Sequence, residues 1–273
     1  MIDTILVATD GSLGASGAEA IGFSLASRLR AGISGCTVIE DRDTQVPDGA
    51  NLGGARFPET ELQTFFQARA EATVRRFVER GRASGVEATC EATRGVADER
   101  LIERAQAADL LLLGRTGKSS GQRSGLGGAT LEAVLRKSSK SSLIVPEGAV
   151  VTGPVLAGFD GSPGSRLAVK QAAELAARLG ETLYVFVDSK DKARAIARFE
   201  EVRPMVAGLG APAQEVSSTL GRPDVKLVDT AQEIRAGLLV MGAYGRNRIT
   251  DFFLGSNAAA VVRTSPVAVL LAR

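Results

Sequence analysis

The residues best suited to chemistry lie near the end of the chain: Gly242-Ala243-Tyr244-Gly245, nine further residues, then Gly255-Ser256-Asn257. The pattern opens where an apolar run ends and closes where a helix is predicted to begin. Glycine at such places lets backbone approach a phosphate, or adopt positive φ, with no Cβ in the way. A helix starting near Ser256 offers unpaired N–H groups and the positive end of its dipole, and the Ser256 hydroxyl can donate to a phosphate oxygen. A structural role fits the same residues: Gly242 ends a strand, Gly245 makes a turn and Ser256 caps the helix. Asp160, in Gly158-Phe159-Asp160-Gly161-Ser162, shifts the balance. If its strand neighbours the one ending at Gly242, the sheet changes direction between them, and open α/β sheets bind ligands at that switch point. A carboxylate there suits a ribose hydroxyl or a base amino group, with phosphates on the glycine loop. The alternative is that Asp160 caps the following helix.

A second, earlier constellation has the same layout. Asp10-Gly11-Ser12 is followed by Gly114-Arg115-Thr116-Gly117, nine residues, then Gly127-Gly128. Gly128 stands where Ser256 stands in the later copy; a one-residue shift instead sets Gly128-Ala129 against Gly255-Ser256, again without a hydroxyl, and Thr130 is the nearest one. A lost hydrogen bond to a charged group is worth roughly 1.5–3 kcal/mol, about tenfold or more in affinity. Weaker binding is therefore expected here, or a site adapted to another anion, with Lys118, Gln122 and Arg123 in the loop. Gly117-Lys118-Ser119 mimics the end of a P-loop, but that motif needs glycine where Leu112 stands.

Positioning both constellations requires a repeated set of elements. Residues 4–12, Thr-Ile-Leu-Val-Ala-Thr-Asp-Gly-Ser, match 154–162, Pro-Val-Leu-Ala-Gly-Phe-Asp-Gly-Ser, and each run leads into an Ala-rich amphipathic stretch. Ala108–Gly114 likewise matches Ala236–Gly242. Self-similarity in one order implies duplication. In the first half, strands are predicted near 4–9, 34–39, 86–92, 109–113 and 142–145, with helices near 14–30, 59–83, 97–107 and 128–138. Strands of the second half fall near 154–159, 182–187, 213–219, 237–241 and 267–271. Fully apolar strands such as Leu110–Leu113 imply burial on both faces, so alternating strands and helices predict a doubly wound parallel sheet in each half. About twenty extra residues in the first half, including Pro47–Gly54, read as a loop. The junction 146–154 is short, so the two sheets should pack together. The terminal strands, as exposed edges, are expected to meet near a pseudo-two-fold axis within the chain, and whole chains to pair further as a homodimer.

Composition excludes several classes. With no histidine, the chain lacks the usual general base near neutral pH, the commonest metal ligand and any Ser-His or Cys-His nucleophile. Cys36 and Cys90 form neither a zinc spacing nor a Cys-x-x-Cys pair and read as small buried apolar residues. A net charge of +2 without a dense basic stripe argues against nucleic acid. No apolar run approaches the ~20 residues that span a bilayer, and no charged leader precedes the first strand, so membrane insertion is not expected and a cytoplasmic location is.

The glycine spacing together with the Asp-Gly-Ser strand ends resembles the universal stress protein family. Its nucleotide-binding members carry Gly-x-x-Gly, nine residues, then Gly-Ser or Gly-Thr. Gly242, Gly245, Gly255 and Ser256 match at every defined position, and Val262–Leu271 is similar to the family's ending. The resemblance covers the whole chain as two copies, 1–147 with a degenerate loop and 153–273 with an intact one. It implies two tandem doubly wound five-stranded parallel-sheet domains of order 3-2-1-4-5, of the adenine nucleotide alpha hydrolase-like, Rossmann-like kind. It further implies ATP, with or without Mg²⁺, bound chiefly by Gly158, Asp160, Phe186, Gly242, Gly245, Gly255, Ser256 and Asn257. Asp160 would lie at the ribose and adenine side and Phe186 would offer backbone to the adenine edge, although smaller β-branched residues often stand there. A weaker site would comprise Asp10, Gly114, Gly117, Gly127 and Gly128. The expected function is a stress-response regulator with slow or no hydrolysis and no assigned catalytic residue. A slow Mg²⁺-dependent ATPase and an interaction scaffold with vestigial sites are the alternatives. Adenylating enzymes of related folds use His-rich or Ser-Gly-Gly loops that are missing here.

Overall fold

A computed structural model describes residues 1–40, 59–117, 126–219, 221–244 and 254–273. The loop around 47–54, the side chains of Lys118, Gln122 and Arg123, and Gly245 fall outside these residues. The first half runs β1 (Thr4–Ala8), α1 (Leu13–Leu29), β2 (Gly32–Glu40), α2 (Glu59–Ala83), β3 (Ala88–Gly95), α3 (Ala97–Ala105), β4 (Leu110–Gly114), α4 (Ala129–Lys137) and β5 (Ser142–Val145). The second repeats it with β6 (Val155–Gly158), α5 (Pro163–Leu179), β7 (Leu183–Asp188), α6 (Lys192–Val206), β8 (Ala213–Ser218), α7 (Pro223–Glu233), β9 (Leu238–Gly242), α8 (Ser256–Thr264) and β10 (Ala268–Ala272). Element types agree with the sequence reading; the main shift is β3, which runs three residues further than predicted.

Local chemistry explains the paired helix boundaries. Ser12 caps α1 by accepting the Ala15 amide at 3.1 Å, and Ser162 caps α5 by accepting the Ser165 amide at 3.2 Å, with Pro163 opening the helix. Both helices end in a left-handed residue. In α5 this is Gly180 (φ 68°), the usual solution, whereas in α1 it is Arg30 (φ 53°), which carries a Cβ penalty.

The ten strands form one sheet of order β3-β2-β1-β4-β5-β10-β9-β6-β7-β8. Each half thus has the order 3-2-1-4-5 with parallel pairing, and the halves join through antiparallel β5 and β10. Ser142 pairs with Leu271, Leu143 with Leu270 and Ile144 with Val269. Leu111 beside Ser142 and Leu239 beside Val269 mark those two strand residues as repeat equivalents, so Leu143 and Leu270 face each other on the pseudo-dyad. The predicted meeting of terminal strands is therefore complete within the chain. The outer edges of the joined sheet are the polar strands β3 and β8.

Alternate strand residues enter two cores. Leu110 and Leu112 pack with Phe23, Phe77, Phe159 and Phe199 beneath one helix layer, and Leu111 and Leu113 pack with Leu131, Leu227 and Val261 beneath the other. Burial on both faces accounts for the unbroken apolar strands. A reciprocal clamp spans the first layer. Arg28 at the end of α1 donates to the carbonyl oxygens of Leu179 (2.9 Å) and Val151 (2.6 Å), and its repeat equivalent Arg178 donates to those of Leu29 and Ile2. Among the described residues no helix is long and apolar enough to cross a membrane.

Candidate functional site

Each half opens a cleft at the carboxyl ends of its central strands, where the sheet changes direction. In the second half, the ends of β6 and β9 bring Asp160 and Gly242 to the lining of one cavity of about 510 Å³. Gly158, Phe186, Gly255, Ser256 and Asn257 also line it, so apart from the undescribed Gly245 every residue singled out in this half borders one space.

Asp160 does not cap α5. Its Oδ1 accepts the Ser162 amide at 2.9 Å, an Asx turn that aims the carboxylate at the cleft, while Ser162 performs the capping. Nor does Ser256 cap α8: the cap position is Gly255, no side-chain cap bond to the first turn is made among the described residues, and Ser256 is the first helical residue. The Gly255 amide itself is taken by the Ala243 carbonyl at 3.0 Å. Uncapped amides at the mouth of a cavity are an anion-binding arrangement. Phe186 borders the cleft as well, and its carbonyl accepts the Phe159 amide at 2.9 Å in the sheet ladder.

The glycines have a packing reason in addition to any ligand. A methyl on Gly242 would stand 2.7 Å from the Gly164 carbonyl carbon and 3.0 Å from the Ser165 nitrogen, where the end of β9 crosses the start of α5. Gly127 combines φ 137° with a would-be Cβ 2.2 Å from the Arg115 carbonyl oxygen. Backbone meets backbone at both places.

The first cleft is much smaller, about 130 Å³, although Asp10, Gly114, Gly117 and Gly128 border it. Gly127 does not reach its lining. The glycine loop lies closer to the first turn of α1 than its counterpart lies to α5: a methyl on Gly14 would be 2.1 Å from the Thr116 carbonyl oxygen, against 3.0 Å from Tyr244 at Gly164. The Asp10 carboxylate rests against this loop, with Oδ2 3.2 Å from where a Gly117 Cβ would stand, and Oδ1 accepts the Ser12 amide at 2.8 Å. Thr9, which also borders the cleft, donates its hydroxyl to the fully buried Glu19, itself paired with Arg80. Cys36 takes the position of Phe186, since the Thr9 amide bonds its carbonyl as Phe159 bonds Phe186. Burial pushes the Cys36 and Cys90 thiols up to about 12, which makes both poor nucleophiles, and both are free.

Asp188, Asp224 and Tyr244 also line the second cleft, and the sequence reading assigned none of them a role. Asp188 was findable: it is two residues beyond Phe186 on the same strand, hence on the same face. Burial without a compensating donor raises its carboxyl above the usual range. Asp224 is held low by the Arg222 guanidinium, at 2.6 Å and 3.2 Å. Among the described residues no cluster of His, Cys, Asp and Glu is arranged to hold a metal ion.

Comparison with known proteins places this geometry. A universal stress protein from Archaeoglobus fulgidus DSM 4304 aligns over 100% of this chain and 99% of its own, with a TM-score of 0.81 at 20% identity. That protein therefore shares the two-part fold. A universal stress protein of Mycobacterium tuberculosis strain H37Rv is 29% identical over 63% of this chain, and one from Synechocystis is 27% identical over 60%. These alignments span 64% and 58% of the respective relatives' lengths. The model of the Universal stress protein family matches residues 1–146 and again 152–273. With nearly every residue inside one of two consecutive matches, the chain belongs to the universal stress protein family.

Proposed function

We propose that this protein binds adenine nucleotide, chiefly ATP, in the cleft of its second domain (153–273), and acts as a regulator in stress responses. The first domain (1–147) would bind weakly or not at all. One observation carries the reading: a cavity of about 510 Å³ bordered both by Asp160 and by the start of α8, which has no side-chain cap among the described residues. That volume lies within the ~300–1,000 Å³ usual for small-molecule sites, whereas the ~130 Å³ of the first cleft does not. Amides and hydroxyl at Ser256 suit phosphate oxygens, Asp160 suits ribose hydroxyls, and the Phe186 ring offers an apolar surface to a base. With no histidine in the chain, no general base of the usual kind stands beside the phosphates, which favours binding over rapid turnover. Mg²⁺ would arrive with the nucleotide and would supply charge neutralisation at its phosphates.

Isothermal titration of the full chain with ATP, ADP and GTP tests this. ATP should bind at one site per chain, and Ser256→Ala should weaken it about tenfold through loss of a charge-assisted hydrogen bond. Absence of binding by both ATP and ADP would overturn the proposal.

A further inference from the structure

We propose that Arg115, a residue of the first domain, is a positioning residue for the second cleft. Arg115 follows Gly114 at the start of the first glycine loop and borders the first cleft. Its guanidinium crosses the pseudo-dyad and donates to the carbonyl oxygens of Ser265 at 2.6 Å and Arg263 at 3.3 Å. Those carbonyls close α8, whose opposite end, Ser256–Ala258, lines the second cleft. At nine residues α8 is a rod of about 14 Å. A cation on its last carbonyls fixes the final turn and complements the helix dipole. The amides that face the cavity therefore sit on a short helix whose far end is held by a side chain from the other cleft.

The reverse connection also exists. Arg273, just past β10, donates to the carbonyl oxygens of Leu135 and Ser138 at the end of α4. The same guanidinium lies 5.1 Å from the ring centroid of Tyr244, which lines the second cleft. The start of α4, from Ala129 to Leu131, lines the first. Each cleft thus ends in a short helix anchored at its far end by an arginine tied to the opposite cleft. The two arginines are not repeat equivalents, because Ala243 occupies the position of Arg115 and Pro146 that of Arg273. Copying one ancestral contact does not produce this arrangement. Two different side chains reach the same kind of anchor point.

The ligand arm of the test rests on the proposed ATP site; the exchange arm does not. Full-length Arg115→Gln and Arg115→Lys are compared with wild type by ATP titration and by amide hydrogen exchange over residues 256–265. Arg115→Gln should speed exchange throughout α8, including its first turn, by about threefold or more, and weaken ATP by about two- to fivefold. Arg115→Lys, which keeps the charge but shortens the reach and loses the planar guanidinium, should fall between. Should Arg115→Gln fail to fold, the Lys variant carries the same readings. A purely structural contact would lower the melting temperature while leaving ATP affinity unchanged and confining faster exchange to the last turn; that result overturns the proposal. If wild type binds no ATP, the ATP site itself falls. The positioning role is then decided by first-turn exchange alone, supported by acceleration and overturned by none.

Discussion

Replacing Gly242 by alanine separates the two reasons a glycine can stand at the mouth of this cleft. The added methyl would lie 2.7 Å from the Gly164 carbonyl carbon and 3.0 Å from both its oxygen and the Ser165 nitrogen. Carbon atoms in contact prefer about 3.5–4.0 Å. Every one of these neighbours is backbone, so no side chain can rotate away, and the start of α5 must retreat from β9 by roughly 1 Å. Forced overpacking of this kind costs about 1–3 kcal/mol. For a chain of this size that lowers the melting temperature by roughly 3–10 °C. The assay is calorimetric melting of protein dialysed free of nucleotide, with Gly128→Ser as the control. A Cβ at Gly128 meets nothing within 4 Å, and a serine there can cap α4, so the control should melt at or slightly above wild type. If ligand-free Gly242→Ala melts like wild type and only ATP affinity suffers, the packing account is wrong and the glycine serves the ligand alone.

Three further outcomes follow from local geometry. Arg30→Gly should stabilise the protein by about 1 kcal/mol in urea titrations, because it removes the Cβ penalty at φ 53° and copies the Gly180 ending of the second repeat; an unchanged midpoint would refute it. Arg178→Ala should destabilise by about 1–3 kcal/mol, through loss of its bonds to the Ile2 and Leu29 carbonyls across the pseudo-dyad, measured by the same titration. Asp188 has a folded-state pKa raised by burial, so its contribution favours folding at low pH and is lost as pH rises through that raised value. Asp188→Asn should therefore raise the melting temperature at pH 7, and the gain should vanish toward pH 3; a gain that persists at pH 3 would show that charge is not the cause.

Much of the site was legible because it depends on short-range patterns. Asp160, Gly242 and Ser256 stand at strand ends and a helix start, and such boundaries are written in runs of apolar residues, caps and glycines. Asp188 shows where pattern reading stops. It was visible as a strand residue, but whether a carboxylate at a strand end meets solvent or a cavity depends on elements far away in sequence. The Phe186 carbonyl is bonded to the Phe159 amide in the ladder, a pairing set by register and not by any local pattern. The terminal strands are expected from the sequence to meet near a pseudo-two-fold axis within the chain, and β5 and β10 do so, but their register comes only from the assembled sheet.

The sequence by itself determined the duplication, the parallel α/β layering of each copy and the positions of both glycine loops, since each is recorded in residues near one another along the chain. Tertiary structure decided the rest. It joined the halves as one sheet through β5 and β10, left the first cleft smaller than the second with Thr116 against Gly14, and set Arg115 and Arg273 on the far ends of helices in the opposite halves. Those outcomes depend on contacts between residues more than a hundred positions apart, whose distances follow from how two layers of helices pack on a shared sheet and from no local spacing.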